Sequence, residues 1–141
     1  MSMMTEAQAR AILEKVVKMS VADECTASLD GSTNGNIRFA LNDVSTSGIV
    51  DDVELGVSVA FGKRSGAATI NQFDDESLER CVRRAEELAR LAPENPEFMP
   101  AIDKQAYKPS DTFSASTAAI TPELRAKVAA ESIAASKAQS L

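Results

Sequence analysis

Apolar residues recur at two different periods along this chain, and each change of period marks a new element. Ala9, Ile12, Leu13, Val16 and Val17 repeat at helical spacing, which predicts a helix with one apolar face. Thr5-Glu6-Ala7-Gln8 matches a capping box, in which hydroxyl and amide side chains satisfy backbone N–H groups at the helix start. The helix should therefore open at Thr5 and close near Met19 or Ser20. Alternation follows. Cys25, Ala27 and Leu29 alternate with Thr26, Ser28 and Asp30, and lead into Gly31-Ser32-Thr33-Asn34-Gly35, which reads as a turn. Ile37, Phe39 and Leu41 then alternate with Arg38, Ala40 and Asn42. After a polar link, Val53, Leu55, Val57, Val59 and Phe61 point one way, and Glu54, Gly56, Ser58 and Ala60 the other. Period two sustained this long predicts a strand with one buried face. Gly62-Lys63-Arg64-Ser65-Gly66 reads as a hairpin turn, with Ala67 to Ile70 returning.

The helical period resumes after Asp74, which can cap, while Asp75 and Glu76 place negative charge at the positive end of the helix dipole. Leu78, Cys81, Val82, Ala85, Leu88, Ala89 and Ala92 form its apolar face, and Pro93 and Pro96 stop it. Short loops between consecutive strands imply an antiparallel meander. The fold class expected is α+β: an antiparallel β-meander sheet packed on one face by amphipathic helices, in two layers. From 93 to 121 the pattern fails, broken by Pro93, Pro96, Pro100 and Pro109. Phe98, Met99, Ile102, Tyr107 and Phe113 favour packing of this stretch over a free linker. Thr121-Pro122-Glu123 restarts a helix with proline in its first turn, and Leu124, Val128 and Ile133 carry it to about Ser136. The expected division is an α+β core over 1–92, an extended Pro-rich segment over 93–121 and a helix over 122–141.

At 141 residues and 44% apolar content, the chain can build one ordinary core. Aromatic residues make up 4% and tryptophan is missing, so Ala, Val, Ile and Leu must supply that core. A net charge of −6 argues against a phosphate-binding surface, and no nucleic-acid partner is expected. The opening Met1-Ser2-Met3-Met4-Thr5 lacks the basic and apolar regions of a signal peptide, and no apolar run reaches the ~20 residues of a membrane span. A cytoplasmic protein without a membrane partner is expected.

The chain has two cysteines and no histidine. Without secretion, Cys25 and Cys81 read as reduced thiols, and a nucleophilic cysteine would need a histidine base. Gly62-Lys63-Arg64-Ser65-Gly66 lacks the order of a phosphate-binding loop and sits between strands rather than before a helix. Asp51, Asp52 and Glu54 read as a solvated loop, and Asp74, Asp75 and Glu76 as a helix start. Arg80, Arg83, Arg84 and Arg90 interleave with Glu79, Glu86 and Glu87, as on an exposed, solvated helix face. No catalytic residue and no metal ligand is assigned, and the chain is expected to hold no cofactor.

Three runs carry a resemblance: R-F-A-L-N-D-V-S-T-S-G from Arg38, E-L-G-V-S-V-A-F-G-K-R-S-G-A-A-T-I-N-Q-F-D-D-E-S-L from Glu54, and R-A-E-E-L-A-R-L-A-P-E-N-P-E-F-M-P from Arg84. From Ile37 to about Met99, and more loosely at both ends, the chain is similar to the amino-terminal part of the TldD/PmbA family. That resemblance implies a modulator-of-DNA-gyrase type of protein, regarded as a peptidase with an H-E-x-x-x-H zinc motif farther along the chain. It implies that this chain is a piece of a larger protein, lacking the last strands of its domain, with zinc in the parent. The expected function is a non-catalytic amino-terminal domain that shapes the peptide cleft and the contact of a homo- or hetero-dimer, its partners being the zinc-bearing remainder and a peptide substrate. Polar Arg38 and Asn42, on one strand face, are the candidates for touching the cleft or a neighbouring domain. An ordinary solvated sheet face, with Asn42-Asp43 beginning a turn, explains the same residues. The alternative is a stand-alone peptide- or protein-binding module that uses an exposed sheet edge. An enzyme in its own right would need a nucleophile and base that the chain lacks.

Overall fold

The structure, a computed structural model, describes residues 4–103 and 105–139. The readings made above for Met1–Met3, Lys104, Ser140 and Leu141 lie outside the described residues. Elements run in the order α1 (Glu6–Met19), β1 (Glu24–Ala40), β2 (Asp43–Phe61), β3 (Arg64–Ile70), α2 (Asp75–Leu91), α3 (Ala115–Ala118) and α4 (Pro122–Ala138). The three strands form one open sheet in the order β1-β2-β3. The chain divides into two compact units, one of residues 1–32 and 52–105, the other of 33–51 and 106–141.

In the first unit the capping box forms as expected. The Thr5 hydroxyl accepts from the Gln8 N–H at 3.3 Å, and Gln8 Oε1 accepts from the Thr5 N–H at 2.9 Å. Asp74 caps α2 by accepting from the Ser77 N–H at 2.9 Å. The inner half of β2 pairs antiparallel with β3 from Leu55 opposite Ile70 to Phe61 opposite Arg64. Strand alternation then delivers Leu55, Val57 and Val59 to the helix side, where they close a core with Val16, Leu78, Cys81, Val82, Ala85 and Ala89. Each buried valine or leucine contributes roughly 1.5–3 kcal/mol. This is the expected two-layer α+β arrangement, helices on one face of an antiparallel sheet.

Gly62, at φ 56°, makes the β2–β3 turn, and its N–H donates to Asp23 Oδ2 at 2.8 Å. Gly66, read from sequence as part of the same turn, instead lies within β3 opposite Val59. A Cβ there would stand 2.5 Å from the Ala85 carbonyl oxygen and 2.9 Å from the Ala89 Cα. Only glycine lets the α2 backbone come so close to the strand.

The turn expected over Gly31–Gly35 does not form, because β1 runs straight through it. The supposed polar link before Val53 is strand as well, since β2 begins at Asp43. The two misreadings have one cause. Polar, Gly-rich residues read as turns by composition, yet each stretch provides the partner that keeps the other's backbone paired. Within the second unit, Ser45 Oγ donates to the Arg38 carbonyl at 3.1 Å and Ser47 Oγ to the Asn36 carbonyl at 3.3 Å. The true reversal is Leu41-Asn42, with φ of 51° and 60°, as a two-residue type I′ hairpin turn requires.

The second unit also holds α3 and α4. The Thr121 hydroxyl caps α4 by accepting from the Leu124 N–H at 3.3 Å, with proline in the first turn as expected. Helix α3, a single turn capped by Ser114, has no counterpart in the sequence reading. The expected packing of the Pro-rich stretch fails for Met99, Ile102, Tyr107 and Phe113, all exposed; Phe98 is half-buried. In the first unit, backbone bonds hold this stretch: the Asn95 N–H donates to the Lys63 carbonyl at 2.9 Å, and the Ala101 N–H to Glu24 Oε2 at 3.1 Å. Extended, proline-broken backbone has no periodic face to bury, so its large side chains point to solvent.

Candidate functional site

The feature that the core leaves unused is the other face of the sheet in the first unit. Alternation that sends Leu55, Val57 and Val59 inward sends Gly56 and Ser58 outward. Register sets Gly56 opposite Thr69 and Ser58 opposite Ala67, and Thr26 and Ser28 of β1 join them. Together these six residues, with Val57 and Ala68, line a shallow depression of about 160 Å³. Thr26, Ser28, Ser58, Ala67 and Thr69 are all exposed. A Cβ on Gly56 would come within 3.1 Å of the Ser28 hydroxyl, so glycine keeps the floor of the depression low. The surface is uncharged, lined by short side chains, and offers hydroxyl groups that donate and accept. Chemically it can receive a flat or extended polypeptide closely. It has no nucleophile–base pair and no acid set apart from a base.

The two candidate residues are not brought together on one face. Arg38 is exposed on β1, whereas Asn42 occupies the left-handed position of the hairpin turn. The expectation of a shared strand face is corrected by the turn. Alternation was continued one residue too far, and asparagine tolerates positive φ better than most residues.

Sequence reasoning also placed Glu86 on a solvated helix face, and the structure overturns this. Arg80, Arg84 and Glu87 are exposed and pair along the helix, with Arg84 Nη1 at 2.8 Å from Glu87 Oε2. Glu86 is only 1% exposed. Its Oε1 accepts from the Val21 N–H at 2.8 Å and from Ser20 Oγ at 3.1 Å, and its Oε2 from Arg83 at 2.9 Å. It clamps the chain where α1 ends, next to the apolar stripe through Val82 and Ala89. Burial pushes this carboxyl up, but the Val21 N–H, the Arg83 guanidinium and the Ser20 hydroxyl outweigh it and hold it below its ordinary 4.5. Because the folded-state pKa is the lower one, the stabilisation is complete above about pH 4.5 and is lost as pH falls through the folded value. Glu86→Ala should therefore cost about 1–3 kcal/mol at neutral pH by stranding the Val21 N–H. Thermal melts of both proteins should converge in acid, and a gap that stayed constant with pH would refute the ionic origin.

Cys25 and Cys81 are free thiols. Burial pushes both up, which makes neither a ready nucleophile. Among the described residues no group of three or more His, Cys, Asp or Glu side chains gathers to hold a metal. With no histidine in the chain, the donors present do not fit a zinc site. Among the described residues, no helix is long and apolar enough to cross a membrane.

Comparison with known proteins adds identity to this geometry. Residues 26–89 match the family model described as PmbA/TldA metallopeptidase domain 1. No protein of curated function matches the sequence. In fold the chain is similar to TldE from Thermococcus kodakarensis, with a TM-score of 0.77 at 14% identity, covering 92% of this chain and 29% of that one. It is similar also to a proposed modulator of DNA gyrase from Bacteroides thetaiotaomicron, with a TM-score of 0.70 at 16% identity, covering 89% of this chain and 30% of that one. The chain thus spans under a third of either protein's length. The matched segment holds the sheet and most of α2, the elements that build both the core and the open face. Residues 26–89 belong to the TldD/PmbA family as its first domain.

Proposed function

We propose that this chain is the non-catalytic amino-terminal domain of a cytoplasmic TldD/PmbA-type zinc metallopeptidase, where it shapes the peptide cleft and contributes subunit contacts. One observation carries the reading: the sheet is packed by helices on one side, while its other side carries an open depression lined by short, uncharged residues and low enough to meet a polypeptide closely. The metallopeptidase name of the matched family supports chemistry performed by other parts of the parent, as this chain has no histidine and no group of metal ligands gathers among its described residues. Arg38 is the remaining candidate for a cleft contact, because its planar fork suits a carboxylate or several carbonyl oxygens. Asn42 contributes to the turn that presents it.

The position of β1 at the edge of the sheet favours a second reading, a module that binds an extended peptide by adding a strand. Both readings meet their test in the protein encoded by the complete reading frame. If the open face walls the cleft, Ser58→Trp should lower peptide cleavage by about tenfold or more, equivalent to ~1.4 kcal/mol of transition-state binding. Zinc content and melting temperature should stay as in the parent. Arg38→Ala should lower cleavage in the same way if that side chain reaches the substrate. Full activity in both variants would defeat the cleft reading. A reading frame lacking any downstream H-E-x-x-x-H, together with peptide binding by this chain alone, would favour the edge-binding module.

A further inference from the structure

The charges of the first unit are divided between its two layers. Among the described residues its lysines and arginines stand on α1 and α2, apart from Lys63 in the β2–β3 turn and Arg64 at the start of β3. Arg64 turns to the helix side as well, where its guanidinium meets the Arg90 carbonyl and the Glu94 carboxylate, each at 3.5 Å. The outward positions of the strands in this unit therefore carry no cation among the described residues. They do carry carboxylates. Cys25, Ala27 and Leu29 pack against the core, so alternation turns Thr26, Ser28 and Asp30 outward. On β2 the same rule turns Glu54 outward with Gly56 and Ser58. Asp30 and Glu54 are both exposed, and neither joins an ion pair among the described residues. Toward the start of β1, by contrast, the Glu24 carboxylate is engaged, accepting from the Ala101 N–H at 3.1 Å.

A Cβ on Gly56 would come within 3.1 Å of Ser28 Oγ, so Ser28 and Gly56 are neighbours across the strands. Two residues farther along each strand of this antiparallel pair, Asp30 and Glu54 are neighbours too. Like charges set beside each other on adjacent strands repel and weaken the sheet. A cation laid over both relieves that repulsion. Among the described residues no group of three or more ligands gathers to hold a metal, so the cation that fits is an organic one carried by a side chain.

We infer that the polypeptide received by the open face is basic, with small residues over the Gly56 floor and a Lys or Arg side chain reaching past it to Asp30 and Glu54. The inference rests on the cleft reading and gives that cleft its selectivity. Short hydroxyl-bearing side chains offer little shape to discriminate by, so complementary charge at one end is what distinguishes one extended peptide from another.

Competition among short peptides for the product of the complete reading frame tests it. Each peptide has the same Gly-Ala-Ser centre, flanked on both sides by Lys, Gln or Glu, so that the direction of binding does not matter. Fluorescence anisotropy should rank them Lys, then Gln, then Glu, the first binding about threefold or more tighter than the last at low salt. Added salt should shrink that ratio toward one. Asp30→Asn and Glu54→Gln should each reduce the preference and together abolish it, while affinity for the Gln peptide stays as in the parent. Glu14→Gln, exposed on α1, removes the same charge from the helix layer and should keep the preference. Equal affinity for all three peptides, lost in Ser58→Trp, overturns this inference and leaves the cleft reading standing. A preference that Glu14→Gln reduces as much as Glu54→Gln does is an effect of net charge, and overturns it too. If no peptide binds, or if Ser58→Trp leaves binding and cleavage unchanged, the cleft reading falls and this inference with it.

Discussion

Val57→Asp should leave the chain unable to fold. Val57 is buried on the helix side of β2, paired with Ala68 and packed in the cluster that joins Val16 of α1 to Leu78, Val82 and Ala85 of α2. A carboxylate there has no cation within the cluster to meet it, and burying it ionised costs several kcal/mol. Domains of this size hold only about 5–15 kcal/mol of stability. Far-ultraviolet circular dichroism should show loss of the native signal or a melt far below that of the parent. Ser58→Asp, one residue along and exposed on the opposite face, should melt close to the parent. If the two variants melted alike, the register that sends Val57 inward would be wrong.

Gly66→Ala should be the most damaging addition of a single methyl group to the first unit. The new Cβ would meet the α2 backbone at Ala85 and Ala89, and backbone in mid-helix cannot swing aside as a side-chain tip can. Strand and helix would have to separate, opening the core around Val59, Ala85 and Ala89. Overpacking typically costs 1–3 kcal/mol, and a backbone collision puts this case at about 3 kcal/mol or above. For a domain of this length that corresponds to a fall on the order of 10 °C in melting temperature. Gly48→Ala provides the control, since nothing lies within 4 Å of a Cβ there. It should be nearly neutral. Equal melting temperatures for the two variants would contradict the close approach of β3 to α2.

Both substitutions concern the same interface, but they were not equally visible beforehand. The inward direction of Val57 follows from strand alternation, a property of neighbouring residues. The role of Gly66 does not. In one dimension a glycine after Gly62-Lys63-Arg64-Ser65 looks like turn chemistry, and only the docking of α2 some twenty residues later reveals a packing requirement. Glu86 is a similar case. Its helix position beside other charges predicts solvation, whereas the end of α1 arrives from far along the chain and encloses it with donors. The open sheet face was legible as polar positions on alternating strands, but that its depression joins β1, β2 and β3 depends on the pairing.

Elements governed by short-range physics were settled by the residues alone. The capping box at Thr5, the caps at Asp74 and Thr121, the apolar stripe of α2, and the inner face of β2 each depend on side chains within a turn or two. They follow from period and from local hydrogen bonding. The family, too, could be read from linear runs. Tertiary pairing decided the rest. Gly31–Gly35 and the stretch before Val53 became strand because each supplies hydrogen-bond partners where local preference would favour a turn. That extension moved the reversal to Leu41-Asn42 and parted Asn42 from Arg38. Contacts between distant segments also gathered 33–51 with 106–141 into one unit, which holds ten of the fifteen exposed large apolar residues among the described ones, a grouping that linear order cannot show.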